Sequence, residues 1–469
     1  MIINSIFETI LSRLNPIIFF DILPGTAYLP FVIGLLTFGC LFFTVKTGFI
    51  NITEFVNIFN YKYTKPNPNI KGISPYAALS TGIGGSVGLG SIAGVAVAIS
   101  MGGPGVVFWI AVAGFLSMPF RFAEVYFANK YRVIDANGEV VTYGPFAYII
   151  EGLKKEFNKP KLGIYIASAF ALFFVIASFS GPNAFQSNQS VKIASSIFFG
   201  GKYVVIIALF LALISGLVII GGIKRIAKVA ELLVNSMGVV YFVAIFVILF
   251  VNKANLGWAF GEIFKGAFNF DSIAASFVPI VVIAVKRSLF ANEVGEGTVP
   301  MAHGKSVNAS AYDEAIKSMA GPFFCSVIIC SLSGLILVAS KSFLIPNLAD
   351  IEMVKHAYLT VHPYFVYILP TIVFLFAYST ILSWYYYGES AFVRIFAKKY
   401  VILYKIAYCC FIVIGGTISL GAVVDFMDFF IFLITIPNVV VLLLLASKTK
   451  FVDDRIINQK NDDKIQRDI

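Results

Sequence analysis

Charged residues are scarce in this sequence. Asp, Glu, Lys and Arg make up 13% of its 469 residues, whereas about 25% is usual in a soluble domain. A chain of this length could not cover its surface with so little charge, which excludes a soluble enzyme, a disordered protein and a nucleic-acid-binding domain. Hydrophobic residues make up 59%, including 48 Phe and 22 Tyr. The composition therefore predicts an all-α polytopic membrane protein embedded in the lipid bilayer.

Cysteine and histidine are also rare, with five and three residues. The cysteines stand in apolar stretches without the spacing of metal ligands, and the histidines form no cluster with cysteines or acids. We interpret the cysteines as buried packing thiols. No nucleophile stands with a base at membrane depth. The sequence thus predicts neither an enzyme nor a resident cofactor.

Long apolar segments define the predicted membrane spans. A helix that crosses a hydrocarbon core of ~30 Å needs about 20 apolar residues. Eleven segments meet this criterion, at approximately 27–45, 74–99, 105–128, 162–190, 203–222, 229–251, 272–300, 318–340, 364–388, 400–420 and 426–446. They predict about 11 transmembrane helices.

The basic residues predict the orientation of these spans. Of the 35 Lys and Arg, 28 lie in one set of loops and the C-terminal tail, and seven lie in the opposite set. Lys and Arg accumulate in cytoplasmic loops, so we expect the N-terminus outside and the tail 447–469 in the cytoplasm. The first 26 residues lack a basic leader and a small-residue cleavage site. Residues 1–26 are therefore predicted to form an amphipathic segment that stays on the protein.

Two halves follow the first span, 27–45. Residues 74–251 and 272–446 each contain five predicted spans, and the opening span of each half contains helix breakers. In the first half these are five glycines within 82–90, and in the second they are Pro279, Gly295, Gly297 and Pro300. Broken helices at matching positions in two halves indicate the binding site of a secondary transporter. Because five spans reverse the entry side, the halves are predicted to form a 5+5 inverted repeat.

The glycine run Thr81–Ser91 is the most informative segment. Its small residues could permit a close crossing of two helices. They cover all faces of the helix, however, and a span this rich in glycine is expected to unwind where it lines a cavity. Freed N–H groups would then attract an anion, and freed carbonyls would attract a cation. The glycines do not indicate a dinucleotide site, because no strand precedes them.

The residues 73–132, which contain this run, resemble the signature region of the alanine/glycine:cation symporters. Further blocks in the same order are similar to that family at 221–234 (GGIKRIAKVAELLV), 285–303 (VKRSLFANEVGEGTVPMAH) and 376–389 (FAYSTILSWYYYGE). The resemblance spans nearly the whole chain. It implies a LeuT-type fold with one extra N-terminal span. It also implies sodium-coupled symport of alanine or glycine into the cell, across the bacterial cytoplasmic (inner) membrane.

The resemblance also implies roles for individual residues. The amides of Leu89 and Gly90 would face the substrate carboxylate, and Gln186 would contact the substrate. A sodium ion would be held by the carbonyls of Gly84 and Val87 and by the hydroxyls of Ser379 and Thr380. Thr380 and Trp384 lie one helical turn apart, and the resemblance implies that both face the substrate, with Trp384 shaping a small pocket.

Other interpretations of these residues stay open at this stage. Ser379 and Thr380 could bond back to their own helix, and Gln186 could join two helices. Trp384 could belong to the aromatic belt at the membrane interface. Two further residues near Pro279, Phe277 and Val281, are candidate pocket walls, and core packing explains them equally well.

Acidic residues are predicted near the inner ends of the spans, at Glu124, Glu293, Glu296 and Glu389. They could serve ions or protons. The interpretation that we favour is ion pairing, of Arg121 with Glu124 and of Lys286 or Arg287 with Glu293. Such pairs would act as gates or structural braces.

The chain departs from the family pattern at several positions. Ser91 stands where an Asn is usual, Leu89 where a Thr is usual, and Cys325 where an Asp is usual, while glycines common in the second broken span are missing. Carboxylate capture by backbone amides does not depend on the side chain at Leu89. The alternative function is therefore a LeuT-type carrier with a changed substrate or with proton coupling. A channel is disfavoured because no repeated pore loop is present.

The 28-to-7 distribution of basic residues generates a topological prediction. We expect an epitope tag at residue 2 to be accessible from outside intact cells and a tag at residue 465 to be inaccessible until the membrane is permeabilised. Antibody labelling measures both. Detection of both tags on the same side would mean that the number of spans is even.

Overall fold

The computed structural model describes residues 20–21, 30–60, 66–269 and 277–451. The predicted amphipathic segment 1–26 and the tail 447–469 lie almost entirely outside the described residues. The main helices are α1 Phe31–Lys46, α2 Pro75–Ser86, α3 Ala93–Gly102, α4 Val106–Lys130, α5 Pro160–Ser178, α6 Gln186–Phe199, α7 Val204–Ile219, α8 Gly222–Val251, α9 Leu256–Ala267, α10 Val278–Asn292, α11 Val299–His303, α12 Ala311–Ser318, α13 Ser331–Ala339, α14 Asp350–Leu359, α15 Leu369–Ile395, α16 Val401–Thr417 and α17 Leu420–Lys448.

Shorter elements connect these helices. A two-stranded antiparallel hairpin, β1 Val133–Ile134 and β2 Val140–Thr142, follows α4. One-turn α-helices lie at Ile50–Thr53, Pro145–Ala147, Leu153–Phe157 and Ala320–Pro322. Turns of 3-10 helix lie at Val56–Ile58, Leu89–Ser91, Lys253–Asn255, Ser342–Leu344, Pro363–Ile368 and Lys398–Tyr400, and wider π-helical turns at Tyr148–Gly152, Ser180–Phe185 and Phe323–Cys330.

Length and hydropathy identify the helices that can cross a membrane. Within the described residues, seven continuous helical stretches meet both criteria, and the bent pair α2–α3 makes an eighth. The apolar helices α1 and α7 are shorter, at 16 residues each. The predicted span 272–300 corresponds to α10 and α11, and its first residues lie outside the described ranges. The chain is thus a multi-pass membrane protein, and the number of 11 spans stays a prediction.

Apolar side chains on the outer helices face away from the protein. Val205, Leu209 and Leu213 of α7 are more than half exposed, as are Val239 and Phe246 of α8. A surface of this size and apolar character is stable in contact with lipid and not with water. These helices therefore form part of the lipid-facing exterior.

The central helix of the bundle is α15. It packs against α2, α5, α6 and α8, and most of its residues are buried. The second broken span packs against the first, because α10 contacts α3 and α11 contacts α2. This arrangement places both helix breaks in the interior of the protein.

The glycine run breaks the first span as predicted. Helix α2 ends at Ser86, and α3 starts at Ala93 after a single 3-10 turn. The two helix segments are bent by 57° relative to each other. The α2–α3 pair is therefore an interrupted membrane span, as the glycine content indicated.

The second break lies later in the chain than Pro279. Helix α10 continues to Asn292, and Glu293 then adopts a left-handed backbone conformation with a φ of 55°. Gly295 and Gly297 follow with φ values of 88° and 75°, which glycine adopts without steric cost. Pro279 stands in the first turn of α10, where a proline interrupts no helical hydrogen bond. The glycines and not Pro279 therefore produce this break.

Candidate functional site at the two helix breaks

The two breaks line one narrow cavity in the interior of the protein. Four elements contribute to its wall. The lining residues are Gly85, Ser86, Gly88 and Gly90 of the first break, Pro182 and Gln186 next to α6, Phe290, Ala291, Glu293 and Glu296 of the second break, and Thr380 and Trp384 of α15. Gly90, Gln186, Thr380 and Trp384, which were predicted from the sequence as substrate-binding residues, thus lie around the same space.

Gln186 binds the backbone of the first break. The amide N–H of Leu89 donates a hydrogen bond to Gln186 Oε1 at 3.0 Å, and both residues are buried. The side chain of Gln186 therefore contacts the unwound segment directly. The Oε1 atom of Gln186 accepts the hydrogen bond of the Leu89 amide. A carboxylate oxygen could accept a hydrogen bond from this amide in the same way.

Thr380 connects α15 to the same break. Its Oγ1 lies 3.1 Å from the Gly84 carbonyl oxygen and 3.1 Å from the carbonyl oxygen of Phe376 in its own helix. Ser379 Oγ donates to the Phe376 carbonyl at 2.9 Å. The hydroxyl of Thr380 thus lies next to the carbonyl of Gly84, whereas the hydroxyl of Ser379 is bonded within α15. Neutral oxygens of this kind suit a hard cation such as sodium, because such cations prefer oxygen ligands.

Trp384 is a buried wall of the cavity. Its side chain is 1% exposed, and its ring stacks on Phe174 with a centroid distance of 5.5 Å. The indole Nε1–H donates a hydrogen bond to Glu293 Oε1. The interfacial position that the sequence left open for this tryptophan is therefore wrong.

The predicted pocket walls Phe277 and Val281 lie elsewhere. The ring of Phe277 packs against Trp109 at 5.5 Å, and neither residue lines the cavity. The prediction placed the break beside Pro279, but the break follows Asn292, so the wall is formed by Phe290 and Ala291. Gly84, Val87, Leu89 and Ser379 stand next to the cavity without being part of its lining.

One of the two predicted ion pairs of the acidic residues is present in the structure. Arg121 and Glu124 form the predicted ion pair, with 3.2 Å between Nη1 and Oε2. The predicted pairing of Glu293 with Lys286 or Arg287 is not present among the described residues. Lys286 pairs with Asp428, and Glu293 accepts hydrogen bonds from Trp384 and from Thr298 Oγ1 at 2.9 Å.

The sequence did not indicate that Glu293 and Glu296 line the cavity. The signal available in the sequence is their position beside Gly295 and Gly297, because side chains in an unwound segment are directed differently from those of a helix. Phe290 lies in the last turn of α10, three residues before Glu293.

Two of the positions that depart from the family pattern, Ser91 and Cys325, lie in contact. Ser91 Oγ is 3.1 Å from Cys325 Sγ. The thiol of Cys325 in turn donates to the carbonyl of Ala291 at 2.9 Å. One thiol thus connects the first break with the end of α10. Because a neutral thiol is a weak ligand for a hard cation, this position differs chemically from the Asn and Asp usual in the family.

Comparisons with known proteins show which family this chain resembles over its length. The family described as "Sodium:alanine symporter family" matches residues 17–467. The chain belongs to this family. Its members are membrane transporters and not enzymes, which confirms the class that the sequence predicted.

Several relatives are similar over most of the chain. The "Sodium/alanine symporter AgcS" of Methanococcus maripaludis is 34% identical, covering 89% of this chain and 92% of the relative. The "Amino-acid carrier protein AlsT" of Bacillus subtilis is 31% identical, covering 87% and 85%. The "Probable sodium/glutamine symporter GlnT" of the same organism is 30% identical, covering 88% and 85%.

Solved structures support the fold at lower sequence identity. The amino-acid-bound protein in "Crystal structure of MhsT in complex with L-phenylalanine" superposes with a TM-score of 0.56 at 15% identity, covering 82% of this chain and 94% of that one. A sodium-coupled sialic acid symporter superposes with a TM-score of 0.52 at 12% identity, covering 82% of each chain. This symporter-family chain therefore shares the LeuT-type fold.

The packing of Gly88 generates a prediction for the site. A Cβ atom at Gly88 would lie 2.7 Å from Thr380 Oγ1 and 2.8 Å from Gln186 Nε2, whereas one at Gly94 would have no neighbour within 4 Å. We expect Gly88→Ala to abolish saturable substrate binding, because it separates Gln186 and Thr380 from the break. Gly94→Ala is the matched control and should bind like the unaltered protein. Binding of a labelled amino acid to purified protein measures both, and equal binding by the two variants would contradict the assignment of this cavity.

Proposed function

We propose that this protein is a sodium-coupled symporter that carries a small neutral amino acid, alanine or glycine, into the cell by alternating access. The observation that carries the proposal is the first helix break. Its Leu89 amide is bonded to Gln186, and its Gly84 carbonyl is bonded to Thr380. The break thus offers a donor and an acceptor within one buried region. This polarity suits the simultaneous binding of a carboxylate and a cation.

The amino-acid substrate would bind through its carboxylate. The amides of Leu89 and Gly90 would donate to the carboxylate, and Gln186 would move its Oε1 from the Leu89 amide to make room. A backbone amide serves this purpose whatever side chain it carries, so the Leu at position 89 does not weaken the contact. The names of AgcS and AlsT support an amino acid as the substrate class.

The sodium ion would bind beside the carboxylate. The carbonyls of Gly84 and Val87 and the hydroxyls of Thr380 and Ser379 would be its ligands, with Ser379 releasing its bond to Phe376. Neutral ligands avoid the cost of a buried charge in the empty carrier. Thr380 is the ligand that the geometry favours most, since its hydroxyl is already directed at Gly84.

The proposal includes the arrangement of the protein in the membrane. We propose 11 spans, with the extra span at 27–45 followed by five-helix repeats at 74–251 and 272–446. The N-terminus would lie outside the bacterial inner membrane and the C-terminus in the cytoplasm. The basic-residue distribution and the two breaks support this arrangement.

A second candidate is a carrier of the same fold with a changed substrate or with proton coupling. The contact of Ser91 with Cys325 favours it, because two oxygen-bearing side chains usual in the family are replaced there. The glutamine named for the relative GlnT indicates that substrates of more than one size occur among similar proteins.

Uptake into proteoliposomes tests sodium coupling. We expect labelled alanine to accumulate with an inward sodium gradient and not with potassium in its place. Thr380→Ala should raise the sodium concentration for half-maximal uptake, because it removes a proposed ligand. Thr417→Ala is the control, since Thr417 is exposed and its hydroxyl bonds to the carbonyls of Val413 and Ile414 in its own helix. Uptake that is independent of sodium and is driven by a proton gradient would support the second candidate instead.

The buried indole of Trp384 predicts the size limit of the substrate. Trp384→Phe should weaken alanine and improve the binding of valine and leucine, because the smaller ring leaves room for additional carbon atoms. Each buried methylene contributes ~0.8 kcal/mol, or about fourfold in affinity. Competition by an amino-acid series against labelled alanine measures the ranking. Trp258→Phe is the control, because Trp258 is 37% exposed and stacks on Phe343 away from the cavity. An unchanged ranking in a well-expressed Trp384→Phe variant would contradict the proposed wall.

A further inference from the structure

The second break carries more negative than positive charge. Glu124, Glu293 and Glu296 are at most 4% exposed, and the guanidinium that accompanies them belongs to Arg121, which is fully buried. Arg121 is occupied by Glu124 at 3.2 Å and by the carbonyl of Asn292. Burying an ionised carboxylate without a partner is costly. Among the described residues, the positive charge of Arg121 therefore does not balance the three carboxyl groups of this region.

Within the described part of the chain, Glu296 has a carboxyl oxygen without a hydrogen-bond or ion-pair partner. Both oxygens of Glu293 accept hydrogen bonds, from Trp384 and from Thr298, and Oε1 of Glu124 accepts from Asn438 at 3.1 Å. Glu296 Oε2 is buried and has no hydrogen-bond partner among the described residues. Because Glu296 lines the cavity, its unused oxygen is available to a molecule bound there.

A second unpartnered group lines the same cavity. The hydroxyl oxygen of Ser86 is buried without a hydrogen bond in the described part of the chain. A carboxylate and a hydroxyl can both accept hydrogen bonds, and an ammonium group has three N–H donors. A charged donor of this kind would satisfy both groups and would neutralise Glu296. A sodium ion is better served by the neutral oxygens at Gly84 and Thr380.

We propose that Glu296 binds a primary ammonium group of the transported solute, with Ser86 as a second acceptor. The inference rests on the proposed function and extends it, because it assigns opposite ends of the substrate to the two breaks. The first break takes the carboxylate, and the second takes the amine. The ammonium could be the α-amino group of a neutral amino acid or the side-chain amine of a diamino acid, and the experiment separates these two sources.

The test compares ligands that differ only in the amine. Purified protein in detergent with sodium is titrated with L-alanine, with L-lactate, in which a hydroxyl replaces the ammonium, and with 2,3-diaminopropionate, which adds a second amine. We expect Glu296→Gln to weaken the binding of alanine roughly 10- to 100-fold, which corresponds to the loss of a hydrogen bond to a charged group. Its affinity for lactate should change by less than about twofold, so that the preference of alanine over lactate collapses. If Glu296→Gln weakens the binding of 2,3-diaminopropionate alone, the side-chain amine is the group that Glu296 binds.

Two further variants control for folding and for charge. Glu389→Gln removes a carboxylate from a separate cavity lined by Lys305 and Arg394, and we expect it to bind all three ligands like the unaltered protein. Glu296→Asp retains the charge at a shorter reach and should restore part of the alanine preference, which a merely structural role of Glu296 does not predict. The unfolding temperature without ligand confirms that each variant is folded.

The outcomes separate this proposal from the function on which it rests. If the unaltered protein binds alanine and Glu296→Gln retains the same alanine-to-lactate preference, the role of Glu296 is overturned and the proposed function stands. A change in sodium dependence without a change in that preference also overturns it, in favour of an ion site. If the unaltered protein binds none of the amines, both are overturned.

Discussion

Backbone hydrogen bonding at the two helix breaks is the constraint on which this structure depends. A helix that unwinds inside the protein at membrane depth leaves N–H and C=O groups that water cannot satisfy. Side chains from other helices satisfy them here. These contacts run from Gln186 to the amide of Leu89, from Thr380 to the carbonyl of Gly84, from Arg121 to the carbonyl of Asn292, from Glu124 to the amide of Gly297 and from Asn438 to the carbonyl of Gly295.

This requirement explains why polar residues are concentrated around the cavity. An unwound segment needs partners that can be exchanged if a solute is to bind there, because the solute must offer equivalent hydrogen bonds. Gln186 and Thr380 are such partners, since each contacts the first break through a neutral side-chain group. The charged residues Arg121 and Glu124 satisfy the second break from α4 instead. Their mutual ion pair makes them poorly exchangeable, because separating a buried pair is strongly unfavourable.

The two breaks therefore differ in function within the proposed transport cycle. The first is bounded by neutral groups and suits a carboxylate with its sodium ion. The second is bounded by Glu293, both of whose oxygens accept hydrogen bonds, and by Glu296, whose Oε2 has no partner among the residues that the structure describes. Trp384 connects them, because it lines the cavity from α15 and holds Glu293 in place through its indole N–H. A zwitterionic solute complements this distribution of charge.

The sequence alone determined that the chain is a membrane protein, where most of its apolar helices lie, that the first span is broken and which family it resembles. These properties depend on composition and on neighbouring residues, and windows of about 20 residues contain them. The predicted site residues Gly90, Gln186, Thr380 and Trp384 also line the cavity.

Only the tertiary structure decided that the second break follows Asn292, that Phe277 packs against Trp109 and that Trp384 binds Glu293. Leu89 and Gln186 are 97 positions apart, and Gly84 and Thr380 are 296 apart. Such contacts are set by how whole helices pack around α15, and no local pattern in the sequence encodes that packing.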